Sequence, residues 1–245
     1  MTMIFAHRGY SAKFPENTMQ AFIEAEKAGA DALEIDVQLT KDGEVVIIHD
    51  EKVDRVTNGQ GYVKEFTYKE LRKLDAGFHK KTTAKMEPIP SLEELLEWMT
   101  TNRLICNIEL KNNFFPYEGI EEKVIKMVRK YNLSNRIIIS SFNHYSIVYS
   151  YRLAPEIEIA PLYSENLYMP WVYAKSIRAK GIHPKLITAT DEVILASIEN
   201  GIQIRPYTVN KEDDMKRLFS IRCSALITDE PKKAMKIRQQ IQSAI

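Results

Sequence analysis

The sequence predicts an α/β protein that folds as a (β/α)8 TIM barrel with a small inserted segment after the second strand. Short β-rich runs alternate with amphipathic helical runs along almost the whole chain, with eight of each kind. The length of 245 residues suits eight such units. An open, doubly wound sheet is the alternative interpretation of the same alternation.

The predicted elements follow from two different periodicities. The strands are short apolar runs between polar or turn residues, at 3–6, 32–36, 104–109, 136–140, 157–161, 181–183, 203–208 and 225–228. The helices repeat apolar residues every three or four positions, at 18–28, 92–100, 120–131, 145–153, 166–176, 192–199, 211–219 and 232–242. Asn17 with Gln20 resembles a capping box, and Gly29 can end that helix. Asp191 and Asn210 are predicted caps of later helices.

One β-rich run, residues 44–48, follows the second strand too closely for a crossover helix, which needs about 10–12 residues. It is therefore predicted to form a hairpin with that strand, turning at Lys41-Asp42-Gly43. The hairpin would return His49 to the vicinity of Asp36. Residues 50–90 fit no βα unit and are interpreted as an insertion over the catalytic face. The whole chain, 1–245, is interpreted as a single domain.

Composition excludes several classes of protein. The chain is 44% hydrophobic and 27% charged with a formal net charge of +1, so no global attraction to nucleic acid is expected. No apolar stretch approaches about 18 residues, so no stable membrane association is expected. A core strand beginning at residue 3 leaves no room for a signal peptide, which predicts a cytoplasmic protein. Cys106 and Cys223 lack metal-binding spacing, and Cys106 is interpreted as a small core residue.

Three carboxylates fall where strands end, which in a barrel is the functional face. Glu34 and Asp36 are two apart on a strand and therefore point the same way. Glu109, on the next barrel strand, has Lys111 on its own side. Three convergent carboxylates suit a hard divalent cation, Mg²⁺ or Ca²⁺. The alternative is that Glu34 and Asp36 form a solvated strand end.

Two histidines and two fixed cations surround these acids. His7 ends the first strand, and the hairpin brings in His49, so the pair could act as general acid and general base. Arg8 and Lys111 could bind an anionic ligand such as phosphate, or could form internal ion pairs with the acids. His183 also ends a strand but lacks an acidic neighbour on its own face.

Motifs in a fixed order along the chain resemble those of the glycerophosphodiester phosphodiesterase family. They are His7-Arg8-Gly9, Pro15-Glu16-Asn17-Thr18, Glu34-Ile35-Asp36-Val37, Thr40-Lys41-Asp42-Gly43, His49-Asp50, Glu109-Leu110-Lys111, Ser140-Ser141-Phe142, Thr208-Val209-Asn210 and Thr228-Asp229-Glu230-Pro231. Each motif alone is weak, but the ordered set is specific and covers essentially the whole chain.

The resemblance implies metal-dependent hydrolysis of glycerophosphodiesters, such as glycerophosphocholine, to glycerol 3-phosphate and an alcohol. By motif position Glu34, Asp36 and Glu109 would bind the metal, while His7 and His49 would transfer protons. Arg8 and Lys111 would hold the phosphate of this small-molecule substrate, and Phe142 would line the pocket for glycerol or the leaving group. Tyr207 stands where the family usually has Trp, which keeps an aromatic wall and adds a hydroxyl.

Two other functions fit part of this pattern. A lipid phosphodiesterase of phospholipase D or phosphoinositide-lipase type could use a similar barrel, but it would need an exposed apolar rim or secretion. A non-catalytic phosphate-binding barrel would be expected to lack a histidine or a metal carboxylate, and this chain has all five. Similarly, the aromatic loop at 113–117 could form an apolar wall for substrate or simply pack on the insertion.

Overall fold

A computed structural model of the chain describes residues 1–80 and 85–242. Its strands are β1 (Met3–His7), β2 (Ala32–Leu39), β3 (Val45–Ile47), β4 (Ile105–Leu110), β5 (Ile137–Ser141), β6 (Glu158–Tyr163), β7 (Gly181–Pro184), β8 (Gln203–Ile204) and β9 (Ala225–Thr228). Its helices are α1 (Met19–Lys27), α2 (Tyr68–Leu71), α3 (Leu92–Met99), α4 (Ile120–Lys130), α5 (His144–Leu153), α6 (Pro170–Ser176), α7 (Asp191–Glu199), α8 (Glu212–Ser220) and α9 (Pro231–Gln242).

The strands form the predicted (β/α)8 barrel. All neighbouring pairs in the order β8-β7-β6-β5-β4-β2-β1-β9 are parallel, and helices cover the outside. Between β8 and β9, Ile227 N donates to the Pro206 carbonyl at 3.0 Å, and Val209 N donates to the Ile227 carbonyl at 2.8 Å. These two bonds nearly close the ring. Regular strand geometry ends at Ile204, so the predicted strand at 203–208 is shortened.

Side chains alternate between two cores along each strand. Leu33, Ile35 and Val37 of β2 pack outward against the helices, whereas Ala32 belongs to the apolar cluster inside the barrel. Above Ala32 on the inner side stand Glu34 and Asp36. The inner positions thus change from apolar to acidic toward the carboxyl ends of the strands, here called the mouth. Cys106 is fully buried in the outer core, as predicted.

The hairpin prediction is confirmed, because β3 pairs antiparallel with β2. Val46 of β3 and residues between β3 and α3 pack a second, smaller core rather than extending the first. Its buried members are Val46, Ile48, Val53, Val63, Leu71, Ala76 and Ile89. Residues 81–84 of the predicted insertion lie outside the described residues. In the described ranges, no helix has both the length and the apolarity needed to cross a membrane.

Candidate active site

Three buried carboxylates converge at the mouth. Asp36 of β2 is in register with Glu109 of β4, and Glu34 lies one inward position below Asp36. One oxygen from each of the three lies within 4.8 Å of the others. All three side chains are at most about a tenth exposed. The predicted convergence of Glu34, Asp36 and Glu109 is therefore present in the structure.

The three carboxyl groups differ in their electrostatics. Burial, together with the charges of Asp36 and Glu109, raises the pKa of Glu34 well above its usual range. Burial also raises the pKa of Glu109. Burial opposes ionisation of Asp36 too, but Arg8 and Lys111 outweigh it and hold the pKa of Asp36 at about 2. Such a cluster is costly when fully ionised and gains from a cation between its members.

The donor set fits a hard divalent cation. The buried Oδ1 atom of Asp36 has no hydrogen-bond partner among residues 1–80 and 85–242. Its Oδ2 atom accepts a hydrogen bond from Asn17 Nδ2 at 2.9 Å, which fixes the carboxylate with Oδ1 left open. Oxygen atoms alone, three of them anionic, are the ligands that Mg²⁺ and Ca²⁺ prefer.

Arg8 and Lys111 bring positive charge to the same cluster. The Arg8 guanidinium donates from Nη1 to Glu16 at 2.9 Å, and its Nε lies 3.3 Å from Asp36 Oδ2. Lys111 Nζ donates to Glu109 at 2.8 Å and lies 3.8 Å from Asp36 Oδ1. Arg8 and Lys111 therefore do form ion pairs with the acids, which is one of the two roles that the sequence allows for them. Both side chains nevertheless lie at the mouth, beside the carboxylate cluster.

His7 forms a dyad with Asp229, which follows β9. Its Nδ1 lies 2.6 Å from Asp229 Oδ1, and its Nε2 points toward Glu34, 3.9 Å from Oε2. Asn210 Nδ2 donates to the other oxygen of Asp229 at 2.6 Å, and Ser11 Oγ lies 3.0 Å from the first. Burial would raise the pKa of Asp229, but these hydrogen bonds, with that of His7 foremost, hold it at about 2.

His49 forms a matching dyad on the opposite side. Ile48 N donates to the Asp36 carbonyl at 2.9 Å, which holds the end of the hairpin at the mouth. His49 Nδ1 lies 2.6 Å from Asp50, and its Nε2 lies 3.1 Å from Lys111 Nζ. Because the lysine ammonium can only donate, the network assigns the imidazole proton to Nδ1. Arg55 bridges Asp50 to Glu16.

Aromatic side chains line one side of the mouth. Phe142 and Tyr207 meet edge to face with ring centroids 6.2 Å apart, and the Tyr207 hydroxyl donates to the Tyr163 carbonyl at 3.2 Å. In the 113–117 loop, Phe115 packs on Tyr62 of the segment between β3 and α3 at 5.6 Å. Phe114 in the same loop is 64% exposed, so packing on the insertion accounts for only part of this loop.

Three predicted helix caps are wrong. Thr18 caps α1 and Thr190 caps α7 with side-chain hydrogen bonds, whereas α8 has no side-chain cap. Asn17 and Asn210 instead orient Asp36 and Asp229, so both belong to the site, although their positions before helices predict caps. The partners of the histidines were missed as well, although Asp50 and Asp229 both lie within the quoted motifs.

His183 belongs to the barrel interior rather than to the mouth. It is fully buried, with Nε2 3.3 Å from Arg205 Nη1, and Arg205 is paired with Glu158 at 2.6 Å. Burial lowers the pKa of His183 well below its usual range, with the Arg205 charge adding to the effect. A Cβ atom at Gly181 would overlap the Arg205 guanidinium, so glycine makes room for this buried cation.

A barrel with two histidines and three clustered carboxylates at its mouth has groups that could support metal-assisted acid–base chemistry, and comparisons with known proteins identify the family. A profile of the glycerophosphoryl diester phosphodiesterase family matches residues 7–233. Glycerophosphodiester phosphodiesterases of Bacillus altitudinis and Caldanaerobacter subterraneus are 45% and 44% identical to this chain. The alignments cover 98% and 94% of this chain and 100% and 95% of theirs.

Solved structures agree with this assignment. An Oleispira antarctica phosphodiesterase, in complex with the product sn-glycerol-3-phosphate, has a TM-score of 0.87 and 28% identity, covering 98% of this chain and 97% of its own. An Agrobacterium tumefaciens glycerophosphodiester phosphodiesterase has a TM-score of 0.84 and 28% identity, covering 96% and 100%. The chain belongs to the glycerophosphoryl diester phosphodiesterase family and is a phosphoric diester hydrolase.

Proposed function

We propose that this chain hydrolyses glycerophosphodiesters to sn-glycerol 3-phosphate and an alcohol, using one divalent cation, Mg²⁺ or Ca²⁺, and two histidines. The observation that carries the proposal is the cluster of Glu34, Asp36 and Glu109, whose oxygens converge within 4.8 Å between two histidine–aspartate dyads. The product complex of the Oleispira antarctica relative supports a small-molecule substrate of this kind.

Glu34, Asp36 and Glu109 would hold the cation. When bound, the cation supplies positive charge that stabilises the oxygens of the phosphoryl group as their negative charge grows. Arg8 and Lys111 would bind the phosphodiester from the sides, because each keeps its charge and faces the mouth. Fixed charges aimed at the developing negative charge lower the barrier without reorganising during the reaction.

His7 and His49 would carry the proton transfers, one as general base and the other as general acid. Each anchors Nδ1 on an aspartate. His7 turns Nε2 toward Glu34, and His49 turns Nε2 toward Lys111, whose ammonium contacts Glu109. The aspartates would stabilise the imidazolium form, and each proton transfer contributes typically ~10²–10⁴-fold to the rate. The nucleophile is water or the adjacent glycerol hydroxyl, and the second route would pass through a cyclic phosphate.

Phe142 and Tyr207 would form the wall against which the glycerol or the leaving alcohol packs, because their rings meet at the mouth. We further propose that residues 1–245 act as one domain in which 50–90 are an insertion. The separate small core of that segment supports this division, and the return of His49 at its start ties the segment to the site.

The test measures glycerol 3-phosphate release from a panel of glycerophosphodiesters, after chelation and with Mg²⁺ or Ca²⁺ added back. We expect chelation to abolish turnover and one of the cations to restore it. The cation should also raise the melting temperature of the wild-type protein but not that of Glu34→Gln. Glu121→Gln, at a buried carboxylate outside the cluster, is the matched control and should respond like wild type. Full activity in excess chelator, with no metal by elemental analysis, would refute the metal site.

One observation favours a lipid phosphodiesterase as a second candidate. Large apolar side chains are exposed around the mouth, including Tyr168 at 92% and Ile187 at 80%, and such a rim is what a lipid substrate would require. Rates on glycerophosphocholine and on lysophosphatidylcholine separate the two candidates. A preference for the acylated substrate would favour the second, and failure to cleave it would exclude it.

A further inference from the structure

Arg55, in the segment between β3 and α3, reaches back to two carboxylates at the mouth. Its Nε donates to Asp50 Oδ2 at 2.5 Å, and its Nη1 donates to Glu16 Oε2 at 2.8 Å. Its Nη2 donates to both carboxylates, to Asp50 Oδ1 at 3.1 Å and to Glu16 Oε1 at 2.7 Å. Each of two edges of the guanidinium plane thus holds one carboxylate by two hydrogen bonds, a geometry that fixes orientation as well as charge.

Both carboxylates also contact groups of the candidate active site. Asp50 Oδ1 lies 2.6 Å from His49 Nδ1. Glu16 Oε1 accepts a hydrogen bond from Arg8 Nη1 at 2.9 Å. An unbroken chain of ion pairs and hydrogen bonds therefore runs from His49 to Arg8, and Arg55 is its central member.

The backbone of Arg55 is fixed by local structure that does not involve its side chain. Residues 54–56 form a turn, across which the Val53 carbonyl accepts from Thr57 N at 3.0 Å and from Thr57 Oγ1 at 2.8 Å. Val53 is fully buried in the smaller core. The Arg55 side chain is 48% exposed, so its replacement should leave this packed base in place.

The backbone of Asp50 is also held without Arg55. Gln38 Nε2 donates to the carbonyls of residues 48–50 at 3.0, 3.0 and 2.7 Å. The torsion that turns a carboxylate about its last bond is soft, and His49 contacts only Oδ1. Arg55 contacts both oxygens and so sets the plane of the carboxylate. Burial would raise the pKa of Asp50, but the hydrogen bonds of His49 and Arg55 hold this pKa well below its usual range.

The hydrogen bonds of Arg55 leave it little capacity to bind substrate. A guanidinium carries five N–H groups, and four of those on Arg55 are committed to Asp50 and Glu16. A phosphodiester could be bound by two N–H groups only if it displaced one of these carboxylates. Arg8 and Lys111, which lie beside the carboxylate cluster, are better placed for that contact.

We propose that Arg55 is a positioning residue for hydrolysis: it fixes the plane of the Asp50 carboxylate and thereby keeps His49 aligned for proton transfer. This inference rests on the proposed function, because it requires that His49 transfers a proton. It gives the segment between β3 and α3 a part in the reaction, since the smaller core of that segment carries Arg55. Arg55 acts through Asp50 and contacts neither the substrate nor the reacting atoms.

The experiment measures kcat and KM for glycerophosphocholine in a double-substitution cycle of Arg55→Gln, Asp50→Asn and Asp50→Asn/Arg55→Gln. Arg55→Lys keeps the positive charge, so it separates charge from shape and remains usable if Arg55→Gln does not fold. The matched control is Arg129→Gln, because Arg129 is 49% exposed and paired with Glu156 at the opposite end of the barrel. Melting temperatures establish that each variant is folded.

Arg55→Gln should lower kcat by about 10–100-fold and leave KM within about threefold of wild type, because a small misplacement of a reacting group can cost as much as about 10²-fold. Arg55→Lys should recover only part of this loss, because an ammonium cannot hold a carboxylate by a planar fork. In the Asp50→Asn background, Arg55→Gln should change kcat by less than about twofold, because no carboxylate is left to orient. Arg129→Gln should match wild type.

A wild-type kcat in Arg55→Gln would overturn the proposal, as would full recovery in Arg55→Lys. Additive losses in the double variant would show that Arg55 acts without Asp50, and a raised KM with unchanged kcat would assign it to substrate binding; either result overturns the proposal. His49→Ala, assayed alongside, separates this outcome from the proposed function. If His49→Ala is slow while Arg55→Gln is not, only the positioning role fails. If His49→Ala turns over near the wild-type rate, the acid/base assignment fails, and the positioning role fails with it.

Discussion

Replacing Asp229 by asparagine should leave His7 in the wrong tautomer. The reason is that the neighbouring Asn210 side chain fixes the direction in which the new amide at position 229 points. Asn210 Oδ1 accepts from the backbone N of Asp229 at 3.0 Å and from the Thr228 hydroxyl at 3.1 Å, so its Nδ2 must face residue 229 as a donor. An asparagine at 229 would satisfy that donor with its carbonyl and turn its NH₂ group toward His7 Nδ1. The imidazole proton would then move to Nε2. In this tautomer Nε2 has no lone pair with which to accept a proton.

The size of the effect follows from the geometry of the dyad. Opposite charges 2.6 Å apart interact by about 6 kcal/mol at an effective dielectric constant of 20. The Asp229 side chain is 30% exposed, so solvent screening reduces this to about 3–6 kcal/mol. A loss of that size in the transition state corresponds to about 10²–10⁴ in kcat. We therefore expect Asp229→Asn to lower kcat for glycerophosphocholine by this factor.

A double variant tests the reasoning itself. In Asn210→Asp/Asp229→Asn, the new carboxylate at 210 accepts from the amide at 229, which can then turn its carbonyl back toward His7 Nδ1. The kcat of the double variant should be at least about tenfold higher than that of Asp229→Asn, because the correct His7 tautomer returns. Recovery is incomplete because the carboxylate at position 210 no longer contacts His7 directly. The argument would be refuted if the kcat of Asp229→Asn were within tenfold of wild type. It would also be refuted if the kcat of the double variant were no higher than that of Asp229→Asn.

Three further outcomes are expected. His49→Ala should lose about 10²–10⁴ in kcat with an unchanged melting temperature, because it removes a proton-transfer group and little packing; rates near wild type would exclude the acid/base role. The folded pKa of Asp229, about 2, lies below its ordinary value of 3.8. The ionised Asp229 thus stabilises the fold by about 1–2 kcal/mol above pH 3.8, and this contribution is lost as the pH falls toward 2. The free energies of unfolding of wild type and Asp229→Asn, measured with denaturant, should therefore become equal near pH 2. Gly181→Ala should destabilise the fold by about 1–3 kcal/mol in the same assay, because its Cβ would displace Arg205.

Local pattern was sufficient for the parts of the fold that depend on neighbours in the chain. The alternation on β2 places Glu34 and Asp36 on one face, and the short distance to β3 requires a hairpin. The barrel then brings Glu109 alongside, because parallel strands share a mouth. Each of these inferences needs only periodicity and connection length.

The supporting hydrogen bonds could not be read in this way. Asp229 is 222 positions from His7, and Arg55 reaches Glu16 across 39. Contacts at such separations depend on which rotamer each side chain adopts at the mouth. Rotamer choice produces no repeating pattern in the sequence, so these contacts could not be predicted. Asn17 and Asn210 were misread for a related reason. Asparagine before a helix usually caps it, and only the tertiary structure offers these two a carboxylate instead.

The dyad of His7 and Asp229 also bears on how the protein matures. It joins the first strand of the barrel to the last, so no fragment shorter than nearly the full chain contains both partners. During synthesis, the earlier βα units can collapse on one another while β9 is still within the ribosome. The contact between His7 and Asp229 therefore forms only when β9 docks beside β1. If His7 acts with Asp229 as proposed, hydrolysis would therefore require that synthesis has passed β9 and that β9 has docked beside β1.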